Sequence, residues 1–328
     1  MPSTAITEKL RNAPLKEADQ LSALLKASGD SLRLEILRVL DKQSFGVQEL
    51  CSIFGMRQPA MSHHLKVLAQ VDLVASRREG NSIFYRRHHQ SPAQQWQALW
   101  QNLLSTVDSL PLPPVLLERI VAVHQERANS SRQFFEENAE RFRAQQELIA
   151  IYQQYAEPML ELLDSAAMPS RRLVLEIGPG EGAFLCELAS RFETVTALDI
   201  SDSMLALARD RCHGLDNVNF ILGDTKTAGK EQLRPDCIVA NMVLHHTPSP
   251  AEIIADMASL LHPGGSLFLA ELCRHDQVWA REACGDVWLG FDPEDISHWA
   301  EAVGLHDGQH LYFAQRNGFS VQLRQFIR

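Results

Sequence analysis

Paired cysteines are missing from this chain of 328 residues. Its six, Cys51, Cys186, Cys212, Cys237, Cys273 and Cys284, lie far apart and form no CxxC motif. They read as reduced, mostly buried thiols. Also missing is any uncharged apolar run near the roughly 20 residues that would span a bilayer. Residues 1–15 carry Glu8, Lys9 and Arg11 where a signal peptide would have an apolar core. A cytoplasmic protein with no membrane partner is expected. Internal repeats and low-complexity tracts are absent too. Hydrophobic residues make up 45% of the chain, so a packed core is available and wholesale disorder is excluded.

The formal net charge is −10, but it is unevenly spread. Residues 1–90 hold 13 basic and 9 acidic residues, a balance of +4; the rest holds 18 and 32, a balance of −14. A nucleic-acid surface would have to lie in the first part. Pro111-Leu112-Pro113-Pro114 is the clearest linker signal. The expected division is residues 1–110, a mostly helical 111–168, and 169–328. In the last part short apolar runs alternate with helical patterns, as in a parallel βαβ sheet.

In the first part, Asp30-Ser31 caps a helix with apolar positions Leu34, Leu37 and Leu40. Val47, Leu50, Cys51 and Phe54 share one face of the next helix, which Gly55 ends. Gln58-Pro59 opens a third, with proline in its first turn. Met61, Leu65 and Leu68 form its buried face; Gln58, Ser62, His63 and Lys66 form the outer one, suited to base edges and phosphates. Two short helices joined by a glycine turn make a helix-turn-helix. Leu73–Arg78, a turn at Glu79-Gly80-Asn81 and Ile83–Arg87 then read as a hairpin, or wing. Arg77, Arg78, Arg86 and Arg87 are placed for phosphates or the adjacent minor groove. An isolated hairpin would carry such arginines for solvation; after a helix-turn-helix they favour DNA. Trp96, Leu99, Trp100, Leu103, Leu104 and Val107 make an apolar stripe. It can pack on its own domain, but two tryptophans outside the compact core favour a dimer.

The run from Gln58 to Leu68, with Leu73-Val74 and Arg77-Arg78-Glu79-Gly80, resembles the ArsR/SmtB winged-helix repressors over residues 18–88. The resemblance implies double-stranded operator DNA as partner, a homodimer joined through the helix after the wing, and an effector that alters DNA binding. It does not carry metal sensing over. The family's thiol site is Glu-Leu-Cys-x-Cys, and Glu49-Leu50-Cys51-Ser52-Ile53 keeps one thiol. His88-His89 has no Asp/His set at ligand spacing, so no metal is assigned.

In the last part, Arg172–Glu176 is a buried strand running into Gly178-Pro-Gly180-Glu-Gly182 and a helix start. The glycines allow a tight turn and close approach of backbone to ligand. Their spacing alone also satisfies a dinucleotide fingerprint through Gly178, Gly180 and Ala183. Three acids separate the readings. Glu176, at a strand end, can meet an ammonium group but would face a pyrophosphate unfavourably. Asp199, ending Val195–Asp199, can accept from both ribose hydroxyls, a feature that dinucleotide sites share. Asp224, ending Val218–Asp224, can bond an adenine amino group. Asp236–Asn241 and Ser266–Glu271 read as further strands. Asp236 serves as a strand cap and Gly264-Gly265 as a turn. His310–Gln315, Asn317-Gly318 and Phe319–Phe326 read as a terminal hairpin.

This order resembles class I S-adenosylmethionine-dependent methyltransferases over about residues 145–328. The expected fold is therefore an N-terminal winged helix-turn-helix of α+β class, a helical linker, and an α/β Rossmann-like seven-stranded domain. Glu176, Gly178, Gly180, Asp199, Ser201, Met204, Asp224 and Asn241 fall on that family's cofactor-motif positions, which implies S-adenosylmethionine or S-adenosylhomocysteine as ligand. Upstream, Arg132–Phe142 and Tyr152–Tyr155 are helices that either lid the ligand or pack as linker.

Catalysis is less legible. His245 and His246 lie where a transferred methyl would emerge and are candidate general bases, or a pair that structures the loop. The Asp/Asn-Pro-Pro-Tyr element and an arsenite-binding cysteine cluster are both absent. The stretch Cys273–Phe291 and the two-domain order resemble ArsR-type regulators with a methyltransferase-like domain, including SahR-type repressors of methionine-cycle genes. That resemblance implies a repressor with an S-adenosyl nucleoside as effector. An active small-molecule methyltransferase under a regulatory DNA-binding domain is the alternative.

Overall fold

The computed structural model describes residues 17–79, 82–88, 94–138 and 142–328. Residue contacts divide the chain between Val121 and Ala122, inside the helix Pro114–Asn138. Gly80, Asn81 and His89, named above, lie outside the described residues.

The first unit follows its sequence signals closely. Asp30 caps Ser31–Val39, its carboxylate accepting from the Arg33 N–H at 3.0 Å. The next helix, Val47–Phe54, ends at Gly55 in the left-handed region, with φ +64°. Ile53, not Phe54, takes the buried place beside Leu50 and Cys51; Phe54 is half-buried. Gln58–Ala69 buries Met61, Leu65 and Leu68 completely. Strands β2 (Val74–Glu79) and β3 (Ser82–Arg87) pair antiparallel. A two-residue strand β1 (Phe45–Gly46), too short to leave a pattern, joins β3 on its other side.

Two expectations change here. Arg87 is no phosphate ligand: it is buried at 4% exposure. Its guanidinium donates to both Asp108 carboxylate oxygens, at 2.6 and 2.9 Å, and to Asp41. It therefore ties the wing's base to two other elements. The apolar stripe is split, half of it buried within its own unit. In the helix Gln97–Ser109, Trp100, Leu104 and Val107 are buried, and the Trp100 indole donates to the His88 carbonyl at 3.2 Å. Trp96, Leu99 and Leu103 are only half-buried.

The second unit is built on seven strands. Beyond those of the first unit they are β4 (Leu173–Ile177), β5 (Thr194–Asp199), β6 (Val218–Leu222), β7 (Cys237–Asn241), β8 (Ser266–Leu272), β9 (His306–Ala314) and β10 (Ser320–Ile327). Their order is β6-β5-β4-β7-β8-β10-β9. β4 to β8 run parallel, and β10 is antiparallel to both neighbours. The order reverses direction between β4 and β7, which opens a crevice at their carboxyl ends, where open α/β sheets bind ligands. Asp236 accepts from Ser170 Oγ and from the Arg172 and Leu173 N–H groups, and so pins the start of β7 to the start of β4. No described helix is long and apolar enough to cross a membrane.

Candidate functional site

A cleft opens at the carboxyl ends of β4 and β7. It is lined by Glu176, Gly178, Gly180, Phe184, Asn241 and Met242 from the sheet side and by Tyr152 and Tyr155 from the helix Tyr152–Ser165. Gly178 sits at φ +64°, and a Cβ there would come 2.7 Å from Val243 Cγ2. Only glycine fits that turn. Met242 also has positive φ, 59°, which costs a non-glycine residue energy and is typical of functional turns.

Glu176 is the central charge. It is 1% exposed, and its Oε2 makes no hydrogen bond. Burial pushes its carboxyl well above the ordinary range; the neighbouring Asn241 amide opposes this without reaching hydrogen-bond geometry. Both polar atoms of the Asn241 amide are likewise buried and unbonded. A buried carboxylate oxygen and an amide with nothing to bind cost energy unless a polar ligand completes them. They fit the amino-acid end of an S-adenosyl nucleoside. Tyr152 and Tyr155 line the same cleft, and burial, with the Glu176 charge adding to it, raises both phenols. Sequence left these two tyrosines open between lid and linker; they line the cleft. Phe134 and Phe135 do not. A Cβ on Gly285 would meet Phe134 at 2.5 Å, and the Phe135 ring lies 5.0 Å from that of His246.

Asp199, Ser201, Met204 and Asp224 are not among the described residues lining this cleft; they lie at or just beyond the ends of β5 and β6. Asp199 ends β5, and its Oδ1 accepts from the Ser201 N–H at 2.9 Å. Burial raises its carboxyl to about 6, partly offset by the Ser201 and Ile200 N–H groups. Ser201 is buried and caps Asp202–Arg211, accepting from Met204 N–H; Met204 is buried in that helix. Asp224 lies two residues beyond β6 and caps Thr225–Lys230 through Thr227, whose bonds to it outweigh desolvation and lower its carboxyl. Sequence reasoning missed Arg211, which reaches the cleft and pairs with Glu181 at 3.1 Å. A basic residue in the last turn of a helix has an ordinary explanation, so nothing singled it out.

His245 and His246 are buried and are not among the described residues lining the cleft. His245 Nδ1 is in short contact with Glu271 Oε1. Burial alone would lower the His245 imidazolium, but the Glu271 and Asp286 carboxylates outweigh it and raise the pKa. Burial drives His246 well below the usual imidazole range. Arg127 stacks on Trp288 and donates to the Pro248 carbonyl at 2.8 Å.

On the outer surface of the first unit, Gln58, His63 and Lys66 are exposed and Ser62 is half-buried. Arg78 is exposed on β2, and Arg77 and Arg86 are half-buried on the wing.

Residues 144–326, more than half of the chain, match the family model described as methyltransferase domain. The chain belongs to the methyltransferase-domain family. Residues 30–76 match the model for bacterial regulatory proteins of the arsR family, so the methyltransferase domain is fused to an arsR-type helix-turn-helix. Similar curated proteins include ubiquinone biosynthesis O-methyltransferase of Coxiella burnetii, 28% identical over 146 residues, 40% of this chain and 62% of the relative. Trans-aconitate 2-methyltransferase of Variovorax paradoxus is 36% identical over 124 residues, 36% of this chain and 47% of the relative. The chain thus spans under two thirds of the length of these relatives. Among solved structures, magnesium protoporphyrin IX methyltransferase of Synechocystis PCC 6803 with bound SAH has a TM-score of 0.51 at 20% identity. That match covers 62% of this chain and 99% of that one, and shows the methyltransferase fold.

Proposed function

We propose that the chain is a homodimeric, cytoplasmic transcriptional repressor whose methyltransferase domain holds S-adenosylhomocysteine or S-adenosylmethionine as an effector and controls methionine-cycle genes. One observation carries the reading. Glu176, Gly178, Gly180 and Asn241, which suit the amino-acid end of the nucleoside, line a cleft, whereas both candidate bases are buried outside it and one is engaged by Glu271. Glu176 and Asn241 would hold the amino-acid end and Asp199 the ribose. Gln58, Ser62, His63, Lys66, Arg77, Arg78 and Arg86 would contact the operator. For occupancy to set operator affinity, the nucleoside must bind the DNA-competent and incompetent states unequally.

Titrating each nucleoside into the protein–operator complex tests this. Operator affinity is expected to change by about 5- to 150-fold at saturation. Asp199→Ala should abolish the response and leave DNA binding by the ligand-free chain intact. Unchanged affinity with both nucleosides sinks the reading. The relatives' names favour a second one, an active small-molecule methyltransferase. Turnover of labelled S-adenosylmethionine in a metabolite extract would support it.

Nucleoside binding should also depend on pH. Ribose hydroxyls need the ionised Asp199 carboxylate, and its raised pKa puts the loss at about 6. The Asp199 contribution to affinity is expected to fall as pH drops through about 6, by up to about tenfold per unit. Calorimetric titrations at several pH values check this. Asp199→Asn should bind more weakly than wild type above about 6, converge with it in acid and lose the step at about 6, keeping only the dependence due to Glu176. An identical profile in wild type and variant would remove Asp199 from the site.

A further inference from the structure

A second cluster of buried polar groups lies beyond Asn241-Met242, in the turn after β7 and the segment before Trp288. His245 is fully buried, and its ring is oriented from behind. The Nδ1 side faces Glu271, whose carboxylate also accepts from the Leu272 N–H at 2.7 Å and the His245 N–H at 3.3 Å. Nε2 therefore faces the other way, makes no hydrogen bond and lies 3.8 Å from Asp286 Oδ1. The His246 ring centre is 4.0 Å from that of His245. Its Nδ1 lies 3.8 Å from the same Asp286 oxygen and 3.2 Å from the Gly285 carbonyl, while its Nε2 makes no hydrogen bond. One donor atom from each of the three residues lies within 4.8 Å of the others.

We propose that His245, His246 and Asp286 bind a divalent transition-metal ion of the zinc class. A carboxylate behind the far nitrogen of an imidazole is how metal-binding histidines are held in tautomer and orientation. Two donors on a tetrahedral zinc, each bonded at about 2.0–2.1 Å, stand about 3.4 Å apart. The two histidine–Asp286 separations, 3.8 Å each, need to close by a few tenths of an ångström, and all three donor atoms lie within 4.8 Å of one another. Two imidazoles and one carboxylate suit zinc and its neighbours, whereas calcium and magnesium prefer an all-oxygen set. The frame is already built: the Val287 and Trp288 N–H groups both donate to the His245 carbonyl, at 2.9 and 3.0 Å. A bound ion would staple the turn after β7 to this segment, beside the floor of the nucleoside cleft. A protonated His245 held between two carboxylates explains the His245 contacts. Ligation through His246 Nδ1 requires the tautomer protonated on Nε2, which gives up the hydrogen bond to the Gly285 carbonyl.

The test uses the full chain, stripped with a chelator, incubated with Zn²⁺ and desalted before metal analysis. About one zinc per chain is expected, retained in the exposed-histidine control His310→Asn and lost in His246→Gln and Asp286→Asn. Loading the unaltered chain with Co²⁺ makes the result independent of how the variants fold. Visible bands of a tetrahedral nitrogen–oxygen site, without thiolate charge transfer, are expected. No retained zinc in the unaltered chain overturns the proposal. So does zinc kept equally by His246→Gln and Asp286→Asn, or a Co²⁺ spectrum showing thiolate ligation.

Discussion

Glu176→Gln is expected to weaken S-adenosylhomocysteine binding by about a hundredfold and, at the same time, to stabilise the ligand-free protein. The two effects have one cause. The Glu176 carboxylate is buried with an oxygen that bonds nothing, an arrangement that disfavours its charged form in the empty cleft. A ligand ammonium would complete it, and an amide in its place cannot supply the charge. The sign with pH follows. A carboxyl raised in the folded state adds stability below its unfolded pKa, near 4.5. That stability is lost as pH rises through the folded value. The variant's stability advantage should therefore be present at neutral pH and vanish in acid. Urea titrations at two pH values, paired with calorimetric binding, measure both. A variant that binds as well as wild type would take Glu176 out of the ligand site, and one that is less stable at neutral pH would show that burial does not penalise the Glu176 charge.

The second large effect belongs to the first unit. Arg87→Ala should destabilise it by about 3–5 kcal/mol, the usual cost of removing one partner from a buried ionic network. The loss leaves Asp41 and Asp108 facing each other's side of a vacated guanidinium site. Arg78→Ala, on the exposed wing, should cost about 0.5 kcal/mol or less. It should lower operator affinity and reduce the slope of log K against log salt by about one phosphate contact. Denaturant midpoints and affinities at three salt concentrations separate the roles. Equal stability of the two variants would show that the Arg87 network carries no weight.

Both arginines come from the same hairpin and look alike in sequence. Wing arginines alternate in their environment because successive strand residues point to opposite faces. Which face meets Asp41 and Asp108 depends on elements 46 and 21 residues away. Trp100 shows the same limit. Its helix was legible, but whether the indole faced a second copy or its own unit depended on the chain lying against it. Short-range features fared better. The Asp30 cap, the Gly55 stop and the Met61, Leu65 and Leu68 face each rest on bonds or spacings within a turn or two of helix.

The amino-acid sequence by itself determined the two-part architecture, the helix-turn-helix and its wing, and the glycine turn after the strand ending at Glu176. These follow from periodicity, capping and positive-φ glycines, all local. Only the tertiary structure decided that Glu176 and Asn241 share one cleft with Tyr152 and Tyr155, and that Asp199 stands at the next strand end with a raised carboxyl. Only it turned His245 away from that cleft toward Glu271 and Asp286, 26 and 41 residues further along the chain. The reason is the same in each case. Burial and charge pairing are set by which strand lies next to which, and sheet order is not written in any one strand's residues.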